Sequence, residues 1–170
     1  MTTAFIRHPD CLLHDMGEQH PECPGRLHAI DDRLIASGLI AYLQEHEAPL
    51  ATREQLLRVH AVDYLDDVLA SAPLRGLVHL DPDTAMCPQS VTSALRAAGA
   101  VVLATDLVMR GEASNAFCSV RPPGHHAERR RAMGFCFFNN VAVGAAHALA
   151  VHGLERVAVV DFDVHHGNGT

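Results

Sequence analysis

An unbroken apolar run, Val157-Ala158-Val159-Val160, leads directly into Asp161-Phe162-Asp163-Val164-His165. No other stretch limits the fold so tightly. Apolar residues without polar alternation are the pattern of a strand buried on both faces, as in a parallel sheet. Upstream lie a shorter apolar run, residues 116–120, and a helical pattern over residues 140–151 closed by Gly153. Strand, loop, helix, strand reads as a βαβ unit, so the expected class is α/β with a parallel sheet flanked by helices. Residues 1–170 contain no internal repeat and no low-complexity linker, which argues for a single domain.

The first half fits that class. Residues 3–6 form a short strand pattern that stops at His8-Pro9, and residues 9–25 read as loop. Helical spacing recurs over residues 26–35, residues 63–70 and, longest of all, residues 90–109. In the last of these, Leu95, Ala98, Val102, Thr105 and Val108 define an inward stripe that stops before Gly111. Residues 76–88 read as irregular.

Composition then removes several chemistries. The chain is 48% apolar with a formal charge of −7, which offers no broad surface for nucleic-acid phosphates. All 13 basic residues are Arg, so Schiff-base and P-loop lysines are excluded. The 13 His equal the cations in number and point toward metal or proton chemistry. Five widely spaced cysteines include no Cys-x-x-Cys pair and read as small buried side chains in a reducing cytosol. The N-terminus has no signal-peptide pattern, and no window reads as a membrane span. The chain therefore reads as soluble and cytoplasmic, with no nucleic-acid or membrane partner.

Side chains alternate across a strand, so Asp161, Asp163 and His165 should project to the same side at its carboxyl end. Open α/β sheets bind ligands at such ends. Carboxylate oxygen and imidazole nitrogen together suit zinc or a similar divalent ion. The bland alternative makes Asp161 a cap and leaves His165 and His166 on a surface turn. A second constellation, Gly124-His125-His126, follows a Pro-Pro turn after the other strand. Adjacent imidazoles there can act as general base and general acid, or be surface histidines. Asp161 can accept from one ring and fix its tautomer. In Met133-Gly134-Phe135-Cys136-Phe137-Phe138-Asn139-Asn140, at least two Phe should be core, while one can line an apolar passage. His147 and His152, on or at the end of a helix, read as having a helix-dipole or surface role rather than as ligands, and Arg129-Arg130-Arg131 as a solvated run, with a substrate-steering patch as the alternative.

Residues 121–127, 134–140 and 161–170 closely resemble the histone deacetylase superfamily, which includes bacterial deacetylase-like amidohydrolases and acetylpolyamine amidohydrolases. His20-Pro21-Glu22, with Pro24, Arg26 and Leu27, resembles the opening segment of its class II branch. The resemblance implies the arginase/deacetylase α/β fold, present here in part, and zinc-dependent hydrolysis of an acetylated lysine or acetylated small amine. Asp163 and His165 then match zinc ligands, and His125 and His126 the tandem catalytic histidines. Asp161 matches the carboxylate behind the first histidine, and Asn168 stands beside the second. Gly134 and Phe135 match the acyl-lysine tunnel wall, Arg26 resembles an internal-channel arginine, and the backbone near Asp161, Asp163 and His165 resembles a potassium site.

The family's third zinc ligand, an Asp, and its oxyanion-holding Tyr lie downstream of these motifs, and Tyr42 and Tyr64 do not match that Tyr. The expectation is that residues 1–170 are the N-terminal portion of a catalytic domain whose C-terminal half is absent, with little or no activity alone. An acetylpolyamine amidohydrolase is the alternative within the class. A short non-catalytic relative acting as a binding or structural fragment is another. A manganese ureohydrolase on the same fold fits the His-His pair poorly.

Overall fold

The computed structural model describes residues 2–17 and 20–170. Its central strand β1 (Thr3–Arg7) carries Ala4, Phe5 and Ile6, all fully buried. Apolar residues on both faces require cover on both faces, and that fixes β1 in the middle of a parallel three-stranded sheet. Its neighbours are β2 (Leu43–Glu47) and β5 (Asn115–Cys118), in the order β2-β1-β5. A short antiparallel hairpin, β3 (Val78–Asp81) and β4 (Thr84–Met86), occupies part of the segment expected to be irregular. A 3-10 turn at Pro9–Leu12 interrupts the expected loop.

Among the described residues five α-helices accompany the strands: α1 (Gly25–Ala36), α2 (Arg53–Leu57), α3 (Val62–Ala70), α4 (Ser90–Met109) and α5 (Asn140–His152). Helix α2 starts with a capping box, Thr52 and Gln55 each bonding the other's backbone N–H. Helix α5 starts on Asn139, whose Oδ1 accepts from the Ala142 N–H. Helix α4 keeps its expected limits but not a single stripe. Ala98 and Val102 are buried, yet so are Ala94, Ala97, Ala100 and Leu107, while Val108 is exposed. The reason is packing on two sides. Ala100 and Leu107 meet β1 residues Ala4 and Ile6, whereas Ala94, Ala98 and Val102 join a cluster around Phe137 and Phe138.

That double burial also qualifies the reading that no window reaches membrane length. Helix α4 is long and apolar enough by composition, with a mean hydropathy of 1.5. It is nonetheless a core helix whose Arg96 pairs with Asp10 and whose Asp106 meets His147 and His152.

The largest correction concerns residues 157–162. They are extended in sequence pattern but belong to no strand, and every residue from 153 to 166 is exposed. Val160 is 85% and Phe162 96% exposed. Burial of such a run needs a hydrogen-bonded strand on at least one side. None of the described residues supplies one. Between β5 and this segment lies an open groove of about 430 Å³, lined by Cys118, Val120, Val101, Val141, Val159 and Val160. The expected βαβ unit is thus present in β5 and α5, with its third element unpaired.

Candidate active site

The loop carrying His125 and His126 is anchored at its root by Arg121. This side chain is fully buried, which is tolerable only if every N–H finds an acceptor. Its Nε and Nη2 donate to the two carboxylate oxygens of Glu22 at 2.7 and 2.6 Å, and its Nη1 donates to the Cys11 carbonyl at 2.9 Å. Behind the loop, Asn140 Nδ2 donates to the Pro122 carbonyl at 3.2 Å. His60, itself buried, bridges Glu128 O through Nδ1 and the Asn139 N–H through Nε2, at 3.0 Å each. The Phe-Phe-Asn-Asn motif therefore divides its labour. Phe137 and Phe138 are core, and the two Asn tie the helix start to the histidine loop.

The two rings lie 4.1 Å apart by centroid. His125 Nδ1 is 2.8 Å from Asp161 Oδ2, and the carboxylate can only accept, so that nitrogen carries the proton and Nε2 keeps a lone pair. The His125 hydrogen bond is the main reason Asp161 is held below the usual carboxylate range. His126 Nδ1 lies 2.7 Å from Asn168 Oδ1. The Asn168 amide is oriented by Glu128, whose Oε1 accepts from Asn168 Nδ2 at 2.8 Å. Its oxygen must then face the ring, and His126 takes the same tautomer as His125. Gly169 N donates to the His125 carbonyl at 2.9 Å, which closes the 167–170 turn onto the loop.

Asp163 and His165 face the histidine pair across a cavity of about 390 Å³. Asp161 Oδ1 accepts from the Asp163 N–H at 3.1 Å, and Asp163 Oδ1 from the His165 N–H at 2.7 Å. These i to i+2 bonds stand in for the missing strand ladder and keep all three side chains on one side. Asp163 is held below the usual carboxylate range, chiefly by that His165 N–H. Its Oδ1 also lies 2.9 Å from His165 Nδ1, so one oxygen and one nitrogen donor converge. An ionised carboxylate beside an imidazole fits a divalent ion such as zinc, with coordination positions left over.

Gly134 and Phe135 form the opposite wall of this cavity, with Arg26, Glu22 and Asp83 also lining it. Gly134 has φ +55°, and a Cβ there would collide with the His126 ring. Phe135 packs edge-on against His20, with centroids 4.7 Å apart. Arg26 donates through Nη2 to the Val120 carbonyl at 2.6 Å and stands 4.0 Å from Glu22. All nine residues singled out in the sequence thus gather at one cavity or directly behind it. Four supporting residues, Glu22, His60, Arg121 and Glu128, are not legible as such, because the partners that give them this role lie between 40 and 110 positions away. The acidic lining residue Asp83 is not legible either, being on a hairpin turn that carries no pattern.

Neither tyrosine reaches the cavity. Tyr64 is buried and donates to the Phe137 carbonyl at 2.5 Å, and Tyr42 is exposed. All five cysteines are free thiols; Cys11, Cys87 and Cys136 are buried, and Cys23 is exposed. Burial pushes the Cys118 and Cys136 thiols up to about 12. The Arg129-Arg130-Arg131 run is exposed, with Arg130 and Arg131 paired to Asp63 and Asp81.

Comparison with known proteins bears on the family and the fold. A family model described as the histone deacetylase domain matches residues 20–170. A histone deacetylase-like amidohydrolase of Pseudomonas aeruginosa is 48% identical over 99% of this chain and 48% of its own length. Human polyamine deacetylase HDAC10 is 40% identical over 99% of this chain and 27% of its own. The crystal structure of the HDA15 HD domain superposes with a TM-score of 0.92 at 38% identity, covering 99% of this chain and 49% of that one. The chain spans about half the length, or less, of these relatives.

Proposed function

Because the chain belongs to the histone deacetylase domain family, we propose that it takes part in hydrolysis of an acetyl amide, on an acetylated lysine or acetylated small amine, releasing acetate. One observation carries the reading: His125 and His126, each fixed by an acceptor behind Nδ1, share a cavity with the convergent donors Asp163 and His165. In this reading Asp163 and His165 hold zinc, which supplies Lewis acidity toward an acetyl carbonyl and a water molecule. His126 takes the proton of the attacking water at Nε2, and with His125 it delivers a proton to the departing amine. Asp161 and Asn168 hold the two rings in the tautomer this needs. Gly134 and Phe135 flank the acylated chain, while Arg26 belongs to an internal channel beside it. A potassium ion, which the backbone near Asp161, Asp163 and His165 would hold, and a cytoplasmic location complete the proposal.

Residues 1–170 serve in this reading as the N-terminal portion of the catalytic domain. A third ligand and an oxyanion donor come from elsewhere, which accords with Tyr64 being committed to the core. The test is an assay of the complete gene product on acetyl-lysine peptide and acetylated polyamine. His126→Ala should lower turnover about a hundredfold or more with zinc retained, and Asp163→Ala should release the metal. Unchanged turnover in His126→Ala, or full activity without bound metal by elemental analysis, refutes the reading. The 170-residue chain alone should show little or no turnover.

A further inference from the structure

Away from the histidine pocket, helices α4 and α5 bring three ligating side chains together. The helices touch closely where Gly144 meets Val101, since a Cβ on Gly144 would overlap the Val101 side chain. One to two turns further along, Asp106 of α4 sits between His147 and His152 of α5. Asp106 Oδ1 lies 2.8 Å from His147 Nε2 and 2.7 Å from His152 Nε2. The three ligating atoms all lie within 4.8 Å of one another. His147 is buried, whereas Asp106 and His152 remain partly open, which leaves an approach for an ion and its waters. Two imidazole nitrogens and one carboxylate oxygen make a donor set suited to mononuclear zinc and related divalent transition metals.

We propose that Asp106, His147 and His152 form a divalent transition-metal site of the zinc class, separate from the histidine pocket and controlled by Arg58. The control follows from donor and acceptor rules. Arg58 Nη1 is 2.9 Å from His147 Nδ1 and can only donate. His147 Nδ1 therefore holds the lone pair, and its single proton sits on Nε2, directed at Asp106. An ion bound at Nε2 needs the lone pair there, so the proton moves to Nδ1 and meets the Arg58 donor. The ring keeps one proton throughout, and His152 shifts its own from Nε2 to Nδ1 in the same way. Arg58 must swing aside for the ion to bind, and among the described residues only a side-chain contact to the exposed Glu54 at 2.8 Å holds its Nη2. Arg110, 3.5 Å from Asp106 Oδ2, is the other nearby cation.

Metal-stripped protein titrated with Zn²⁺ and analysed for stoichiometry tests this directly. His152→Ala and Asp106→Asn should each remove one equivalent, and Asp163→Ala should leave that equivalent in place. Arg58→Gln, whose amide oxygen can accept from Nδ1–H, should tighten this equivalent about tenfold, the equivalent of roughly 1.4 kcal/mol. Should a helix variant fail to fold, the imidazole NMR signals of His147 and His152 in the unaltered chain give the same answer. They should shift on adding Zn²⁺, and signals that stay put overturn the site. Stoichiometry unchanged by His152→Ala, or binding unaltered or weakened by Arg58→Gln, overturns it as well.

Discussion

Acidification should destabilise this fold through His14. The ring is fully buried, edge-on to Phe137 at a centroid distance of 5.5 Å, with Nδ1 2.7 Å from Ser90 Oγ and, among the described residues, no hydrogen bond at Nε2. Burial, opposed by Glu22 3.6 Å away and assisted by Arg121, pulls its pKa down from 6.5 to about 4. A histidine with a lowered native pKa is protonated more readily in the unfolded chain. Its contribution is therefore intact above the unfolded value and drains away as pH falls from 6.5 toward 4. The full difference of about 2.5 pKa units corresponds to roughly 3 kcal/mol, and about 2.5 kcal/mol of it is lost between about pH 7.5 and pH 4.5. Against a typical domain stability of about 5–15 kcal/mol that is a large share. Urea unfolding at both pH values, on the chain and on His14→Asn, isolates the effect from the carboxylates that titrate in the same range. The Asn amide reaches where Nδ1 was, so the Ser90 contact survives while the titration disappears. The chain should lose about 2.5 kcal/mol more than the variant on acidification. Equal losses in the two would refute the burial argument.

Two further pairs of substitutions probe the support behind the histidines. Arg121→Met strands the Glu22 carboxylate in the interior and should cost about 3–5 kcal/mol in urea unfolding, with part recovered by adding Glu22→Gln; a loss under about 1 kcal/mol would mean the pair is solvated. Glu128→Ala frees the Asn168 amide to rotate and should lower turnover of the complete gene product about tenfold. Glu128→Gln, which keeps an acceptor for Asn168 Nδ2, should restore most of it; equal losses in the two variants would show that Glu128 acts by charge rather than by orienting the amide.

How far the sequence reveals such features depends on where the determining partner lies. Helix α4 is legible to the residue because its limits are set by its own composition and by Gly111. Strand β2, Leu43–Glu47, is not, since it pairs only with β1 and its side chains are mostly exposed and polar, leaving no alternation to detect. His125, His126 and Asp161 are legible as a motif, and the structure joins them at hydrogen-bonding distance. Glu22 and Arg121 form the most buried ion pair near the site, yet 99 positions separate them and neither residue alone distinguishes itself from a surface charge.

Residues 157–165 make the distinction between orientation and burial explicit. The sequence pattern implies that Asp161, Asp163 and His165 share a side, and local hydrogen bonds hold them so. Asp161, Asp163 and His165 stand by the histidines and are between a third and three-quarters exposed, while Val160, Phe162 and Val164 are almost fully exposed. Alternation is a property of the extended backbone itself. Burial is a property of what lies alongside, and an apolar run expresses demand for a neighbour without providing one. That is why Asp161, Asp163 and His165 share one side of a segment whose predicted strand does not form. Asp161 and Asp163 each accept the backbone N–H two residues on, so the geometry of the pocket wall is carried by local side-chain bonds rather than by a sheet ladder.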